Sequence, residues 1–248
     1  MTTKIILSYT IILVTLFSFS QNINHEATYR IYIQEEINKK YSSEMVQEQE
    51  TVKNATKKVI LKLVFNESKA MYFVDHGLND PINDFNYSMA LTYSLGETPY
   101  YTDKNRGISF YNNLEDEFYK QGEFLVTDSI PKWKLTNETK KINNYTCYKA
   151  TYEKEYPYYA DKVLKTITAW YCPEFPYSYG PKGFGGLPGL IFEVQDDKTV
   201  IGIESIVLNN NDKEIILPTK GKVITNVDFY IKLYKSIKEY IDSIKSKD

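Results

Sequence analysis

Histidine and cysteine are scarce: the 248 residues hold two of each, His25 and His76, Cys147 and Cys172. Nucleophilic catalysis needs a base beside the nucleophile, and two isolated histidines offer little to build one from. Neither has a second histidine at metal-ligand spacing, and no cysteine cluster exists, so no metal site is expected. His25 lies close to the expected start of the mature chain, where chains are commonly mobile. His76, in Val74-Asp75-His76-Gly77, sits at an expected strand end and reads as a surface residue. A basic stripe is also missing. Lys+Arg number 30 against 32 Asp+Glu, which excludes nucleic acid as an expected partner. The glycine-rich Gly183-Phe184-Gly185-Gly186 lacks the Lys-Ser/Thr and the strand–helix context of a phosphate-cradling loop. No catalytic residue and no cofactor is assigned. Acids do occur together, at Glu115-Asp116-Glu117 and Asp196-Asp197, which leaves a carboxylate-based hydrolase as the open enzyme reading. Internal repeats, low-complexity runs and long linkers are absent.

Long apolar runs are absent after residue 20. The one such run, Ile5 to Phe17, follows Lys4 and precedes Ser18-Phe19-Ser20. A charged start, a short apolar stretch and small residues two apart describe a cleaved secretory signal peptide over residues 1–20. The run is shorter than the ~20 residues of a spanning helix, so a transmembrane segment is not expected after cleavage. No cysteine follows the small residues, so a lipid anchor at that site is not expected either. Residues 21–248 then form one β-rich domain, exported to the periplasm or to the extracellular or outer-membrane side.

What the chain has in plenty is tyrosine, 23 in all. Tyrosine suits half-buried pleated surfaces. Ala27 to Ile33 alternates, with Tyr29, Ile31 and Ile33 on one face and Thr28, Arg30 and Tyr32 on the other, which predicts a strand. Val59, Leu61, Leu63 and Phe65 share a face, Asn66 to Lys69 turns, and Ala70 to Val74 returns as the second half of a hairpin. Glu35 to Thr56, polar throughout, reads as a surface helix, a loop or a lid. Asp75 to Pro99 gives mixed signals, punctuated by Gly77, Pro81 and Asn83-Asp84. Short strands are expected at Ile108–Tyr111, Glu117–Tyr119, Glu123–Thr127 and Trp133–Leu135. Asn144–Tyr152 and Val163–Cys172 flank the tyrosine-rich turn 155–161 and form a hairpin. Leu190–Val194 and Val200–Leu208 pair across Asp196-Asp197.

The C-terminus changes period. Val227, Tyr230, Ile231, Tyr234, Ile237, Ile241 and Ile244 recur at spacings of three and four, opposite Lys232, Lys235, Lys238 and Glu239. Thr225-Asn226-Val227-Asp228 supplies a capping-box-like start. The stripe is expected to bury against the sheet, with a membrane-surface role as the alternative. In the hairpin, Cys147 and Cys172 are equidistant from its turn. They form either a cross-strand disulfide or two buried thiols acting as small apolar residues.

The passage Ala169-Trp170-Tyr171-Cys172-Pro173 through Gly180-Pro181 to Gly186-Leu187-Pro188-Gly189-Leu190-Ile191 is the most distinctive. Together with the upstream Trp133-Lys134-Leu135 and Asn144 to Ala150, it resembles the GLPGLI family of exported envelope proteins. The family is largely of unknown function. The resemblance implies a mainly β fold: a curved antiparallel sheet or half-barrel, similar to lipoprotein carriers, with the C-terminal amphipathic helix over an apolar concavity. Physically, Gly183, Gly185, Gly186 and Gly189 permit positive φ or close backbone approach, while Pro181 and Pro188 suit turns or edges. Leu187, Leu190 and Ile191 need cover. The segment is expected to be a corner that turns the chain into a strand, with a lip over a pocket or a recognition loop as the alternative. Three function classes follow. The first is a non-enzymatic protein binding an apolar or amphipathic ligand in the curved sheet. The second is an accessory partner of an outer-membrane protein complex, acting through tyrosines 156–159 and the loop 173–185. The hydrolase is the third.

Overall fold

Alternation along the N-terminal segment makes β1 (His25–Ile33), whose odd-numbered residues Ala27, Tyr29 and Ile31 are buried. The computed structural model describes residues 23–34, 42–78, 80–93, 98–158, 161–210 and 213–245. The expected signal peptide, and Tyr159-Ala160 of the tyrosine-rich turn, lie outside these residues. After β1 come α1 (Ser43–Thr56), the hairpin β2 (Leu61–Phe65) and β3 (Lys69–Val74), and α2 (Phe85–Tyr93). Next are β4 (Tyr100–Asp103), β5 (Ile108–Asn112), β6 (Phe124–Ser129) and β7 (Lys134–Ile142). The long hairpin β8 (Tyr145–Tyr158) and β9 (Asp161–Cys172) precedes the pair β10 (Leu190–Asp196) and β11 (Thr199–Val207). The chain ends in β12 (Lys222–Thr225) and α3 (Asn226–Lys245).

Among the described residues all twelve strands join one open sheet, in the order β12-β6-β5-β4-β3-β2-β1-β11-β10-β9-β8-β7. Neighbours are antiparallel throughout, except that β12 runs parallel to β6. The sheet is curved. Adjacent strands lie about 4.8 Å apart, so β5 and β8, eight intervals distant, would be roughly 40 Å apart in a flat sheet. Both line one small cavity, so the two wings fold towards each other. Register shifts at Thr28/Tyr29, at Ile191/Glu193 and at Leu135/Thr139 supply bends, since an extra residue in one strand kinks it and increases its twist. The fold is thus mainly β, a curved open sheet carrying a C-terminal amphipathic helix.

The main core runs along β1, β2, β9, β10 and β11 and takes in Ala55 of α1 with Tyr87, Ala90 and Leu91 of α2. A second, smaller cluster joins Tyr119, Phe124, Val126 and Phe229 beneath α3. That helix touches β6 and β12 at one end of the sheet and β8 near the other.

Five local expectations change. The tyrosine-rich turn is shorter than residues 155–161, because Glu155 to Tyr158 and Asp161 continue the β8–β9 ladder. Glu117 to Tyr119 is a turn and not a strand, because the Asp116 carboxylate accepts the amides of Phe118 at 2.8 Å and Tyr119 at 2.7 Å. Such side-chain hydrogen bonds compete with the strand ladder. Within the mixed stretch, Asp84 is a helix cap rather than loop punctuation: its Oδ1 accepts from the Tyr87 amide at 2.9 Å and starts α2. The capping box of α3 is present, with Thr225 Oγ1 donating to Asp228 Oδ2 at 2.7 Å and accepting from the Asp228 amide at 3.1 Å. Its expected apolar stripe is only partly covered, however. Phe229 provides the buried contact, while Val227, Ile231, Ile241 and Ile244 are exposed. Phe229 and Leu233 face the second cluster, and Tyr230 with Tyr234 of the stripe line the cavity, which leaves Val227, Ile231, Ile241 and Ile244 outward. His25 is not at a loose end either. It is 7% exposed; its Nδ1 accepts from the Asn209 amide at 3.1 Å and its Nε2 lies 2.8 Å from Tyr177 Oη.

Candidate functional site

The passage 169–191 is built as a corner. Cys172 O accepts from Phe175 N at 3.2 Å, Phe175 O from Leu190 N at 2.9 Å, and Tyr179 O from Ile191 N at 2.9 Å. Tyr29 Oη donates to Ile191 O at 2.7 Å, and Trp133 Nε1 donates to Gly185 O at 2.7 Å. The Gly189 amide donates to Leu187 O at 2.8 Å, closing a three-residue turn about Pro188, which has no N–H to place. Leu187, Leu190 and Ile191 are buried, and Pro188 is exposed. Gly186 has φ +85°, where L side chains are strained. At Gly189 a Cβ would stand 2.4 Å from Cys172 O. Both positions therefore need glycine. Trp170 is half-buried, with Lys140 Nζ 4.5 Å from its ring centroid, and Tyr171 is buried opposite Tyr148.

Cys147 and Cys172 are brought together. The β8–β9 register pairs Tyr148 with Tyr171, so the preceding Cys147 and the following Cys172 fall at the next rung. Both are buried free thiols, so the disulfide considered from the sequence is not formed in this structure. Burial, and then the neighbouring Cys172, push the Cys147 thiol up to about 12. An unionised, covered thiol is a poor nucleophile.

The corner's outer turn reaches a cavity. Pro181 to Gly183 form one short helical turn in which Lys182 adopts φ 56° and ψ 30°. Lys182 lines a partly open cavity of about 220 Å³ between the two wings of the sheet and α3. Tyr100 and Tyr111 come from β4 and β5, Asp128 from β6, Lys154 and Tyr156 from β8, Asp196 from β10, and Tyr230 and Tyr234 from α3. Tyr156 Oη donates to Asp196 Oδ2 at 2.7 Å, and Tyr111 Oη to Asn226 Oδ1 at 3.1 Å. Asn226 Nδ2 stands 3.5 Å from Asp128 Oδ2, and Lys154 Nζ lies 4.0 Å from the same oxygen. Lys154 also lies 5.4 Å from the Phe184 ring centroid.

Burial raises the pKa of Tyr100, Tyr111, Tyr156 and Tyr230, so these phenols are neutral hydrogen-bonding groups at ordinary pH. Burial also pulls the Lys182 ammonium down to about 8, against the favourable pull of Asp196 and with the repulsion of Lys154. Lys182 makes no hydrogen bond or ion pair among the described residues. The cavity is amphipathic: aromatic walls, neutral hydroxyls and one cation without a partner.

None of these cavity residues stands out in the sequence. From the sequence, Asp196 belongs to an acidic pair open to a hydrolase reading and Tyr156 to a tyrosine-rich recognition segment, and neither points to a shared cavity. A signal was nonetheless there: Lys182 lies between Pro181 and Gly183, a placement where a lysine has no obvious structural use. His76 is at the surface, 3.7 Å from Asp80. Among the described residues no group of three His, Cys, Asp or Glu side chains could hold a metal ion, and no helix is long and apolar enough to cross a membrane.

Residues 159–193 match the family described as Porph_ging, protein of unknown function. The matched stretch contains Lys182 and the whole corner. No curated protein matches. Among solved structures, PNGF-II in its C2 crystal form is similar with a TM-score of 0.45 and 16% identity, covering 85% of this chain and 32% of that one. Its P21 form gives 0.49 and 14%, covering 86% and 33%. The chain thus spans about a third of the length of the PNGF-II chains it matches.

Proposed function

We propose that the protein is an exported, non-enzymatic envelope protein of the GLPGLI family that binds a small amphipathic ligand in the concavity of its sheet. The observation that carries this reading is the partly open cavity of about 220 Å³ between the wings, walled by tyrosine rings and lined on one side by α3. Ligand sites are concave, mostly apolar, and carry a few convergent polar groups. Binding rather than turnover is the better reading because the carboxylates are engaged: Asp196 by Tyr156, Asp128 by Asn226 and Lys154. The intact hexapeptide at 186–191 and the match over 159–193 support the family assignment. The apolar stretch at 5–17 supports export.

A second reading, an accessory partner of an outer-membrane complex, is favoured by the exposed Val227, Ile231, Ile241 and Ile244 of α3. Apolar faces on a surface helix are common docking elements. One experiment separates the two. The protein is purified from its native envelope without detergent exchange, and extracted small molecules and co-purifying proteins are both identified by mass spectrometry. A stoichiometric amphiphile absent from a mock purification supports the cavity reading. A stoichiometric membrane protein with an empty cavity supports the second.

A further inference from the structure

Of the charged groups lining the cavity, Lys182 makes no hydrogen bond or ion pair among the described residues. Asp128 faces Lys154 and Asn226, and Asp196 accepts from Tyr156. Lys182 lines both this cavity and the small one adjoining it. A cation taken out of bulk water is unfavourable unless something pairs with it. Its backbone adds a second unfavourable contribution, since φ 56° is a left-handed conformation that a lysine adopts at a cost. Nothing in the local chain requires lysine there. The corner hydrogen bonds run through the backbone of residues 175–191 and not through this side chain. Two unfavourable features at one residue that lines a cavity are what a binding group looks like before its ligand arrives.

Resting on the ligand-binding reading above, we propose that the ligand carries a single anionic head group, a carboxylate or a phosphate monoester, which pairs with the Lys182 ammonium while its apolar or aromatic body lies against the tyrosine rings. The cavity is not uniformly cationic, because Asp128, Glu155 and Asp196 also line it. Three carboxylates stand against two lysines, and Asp196 pulls on Lys182 without forming an ion pair, so a preference for an anion has to come from direct pairing with Lys182 and not from a general positive field. Lys154, already near Asp128, is the weaker cation for this purpose. The neutral phenols of Tyr100, Tyr111 and Tyr230 line the same space; Tyr111 already donates to Asn226 and bonds with the other two, so a head group would meet them through a bridging water.

Chain-matched probes test this. Octanoate, octyl phosphate, octanol and octylammonium are titrated into the purified chain, following tyrosine fluorescence and calorimetric heat. The expected result is that octanoate or octyl phosphate binds at least tenfold tighter than octanol, with octylammonium weakest. Whichever of the two acids is the tighter identifies the head group. In Lys182→Met the advantage of the acids over octanol should fall below about twofold while octanol binding stays as it was, and Lys182→Arg should keep the order of preference. Equal affinity for octanol and both acids in the wild type, or an acid preference that survives Lys182→Met, overturns the head-group inference and leaves ligand binding standing. If none of the four probes binds, the ligand-binding reading fails and this inference with it.

Discussion

The corner at 173–191 and the wing that carries α3 differ in how their residues are held. In the corner, backbone hydrogen bonds, the Tyr29 and Trp133 side chains and two positions restricted to glycine fix nearly every residue. In the wing, a four-residue cluster that includes Phe229, the one buried helix residue, holds a twenty-residue helix whose aliphatic residues Val227, Ile231, Ile241 and Ile244 are exposed. The cavity lies between a stiff half and a lightly anchored one. On the ligand-binding reading proposed above, a site so placed would keep its polar group in position from one side and admit a ligand from the other.

The largest effects should separate the two halves. Leu190→Ala removes fully buried methyl groups at the start of β10 and should lower stability by roughly 2–5 kcal/mol. Phe229→Leu, a near volume-conserving change under α3, should lower it by less than about 1.5 kcal/mol. Urea unfolding of both variants makes the comparison. Equal losses would mean that the helix is as much a part of the cooperative core as the corner, and the contrast would collapse.

A smaller effect sharpens the corner itself. Trp133→Phe keeps a ring against Tyr152 and Phe184 but removes the donor to Gly185 O, leaving a buried acceptor unpaired. About 1–2 kcal/mol should be lost. Amide exchange should quicken first at Gly186, whose N–H bonds to Ser178 O at 3.0 Å in the same turn. Faster exchange spread evenly over the sheet would show that Trp133 is general packing and not a clamp on this loop.

Much of the sheet is legible in the sequence because period-two alternation is a local signal. Tyr29 and Ile31, or Leu61 and Leu63, declare a buried face without help from partners. The hairpin at β8–β9 is legible for the same reason, down to the register that sets Cys147 beside Cys172. The parallel pairing of β12 with β6 is not, because Lys222–Thr225 is four residues long and its partner is almost a hundred positions away. The helix stripe misleads in an instructive way. Spacing identifies a face but not which of two neighbouring faces wins, and Phe229, one step off the stripe, is the residue that finds a cluster. The corner is conspicuous because backbone geometry restricts residue type there. The cavity is not, because it collects ordinary Tyr, Lys and Asp residues from five strands, the turn at Lys182 and a helix that only curvature brings together.

The smallest expected effect has an unusual sign, and it tests whether Lys182 is held at a cost. Its ammonium is pulled down to about 8 in the folded protein, below the ordinary lysine value, chiefly by burial. Between about pH 8 and the ordinary value near 10.5 the unfolded chain therefore holds a proton that the folded chain has released. Wild-type stability should rise with pH across that window, and below about pH 8 the full unfavourable contribution is present. Lys182→Met keeps an unbranched side chain in the same backbone conformation and removes the charge. The variant should melt higher than the wild type at pH 7, by about 2 °C or more for a chain of this size. The difference should shrink as pH approaches 10.5. Ionisation of the buried tyrosines lowers stability at the top of this range, but it affects both proteins alike and cancels in the difference. Thermal melts at half-unit steps from pH 6.5 to 10.5 check the prediction. A variant less stable than the wild type at every pH would mean that the amine already has a partner in the folded protein. Saturating octanoate should then narrow or reverse the order at pH 7, because an anion beside Lys182 stabilises the wild type and has nothing to pair with in the variant.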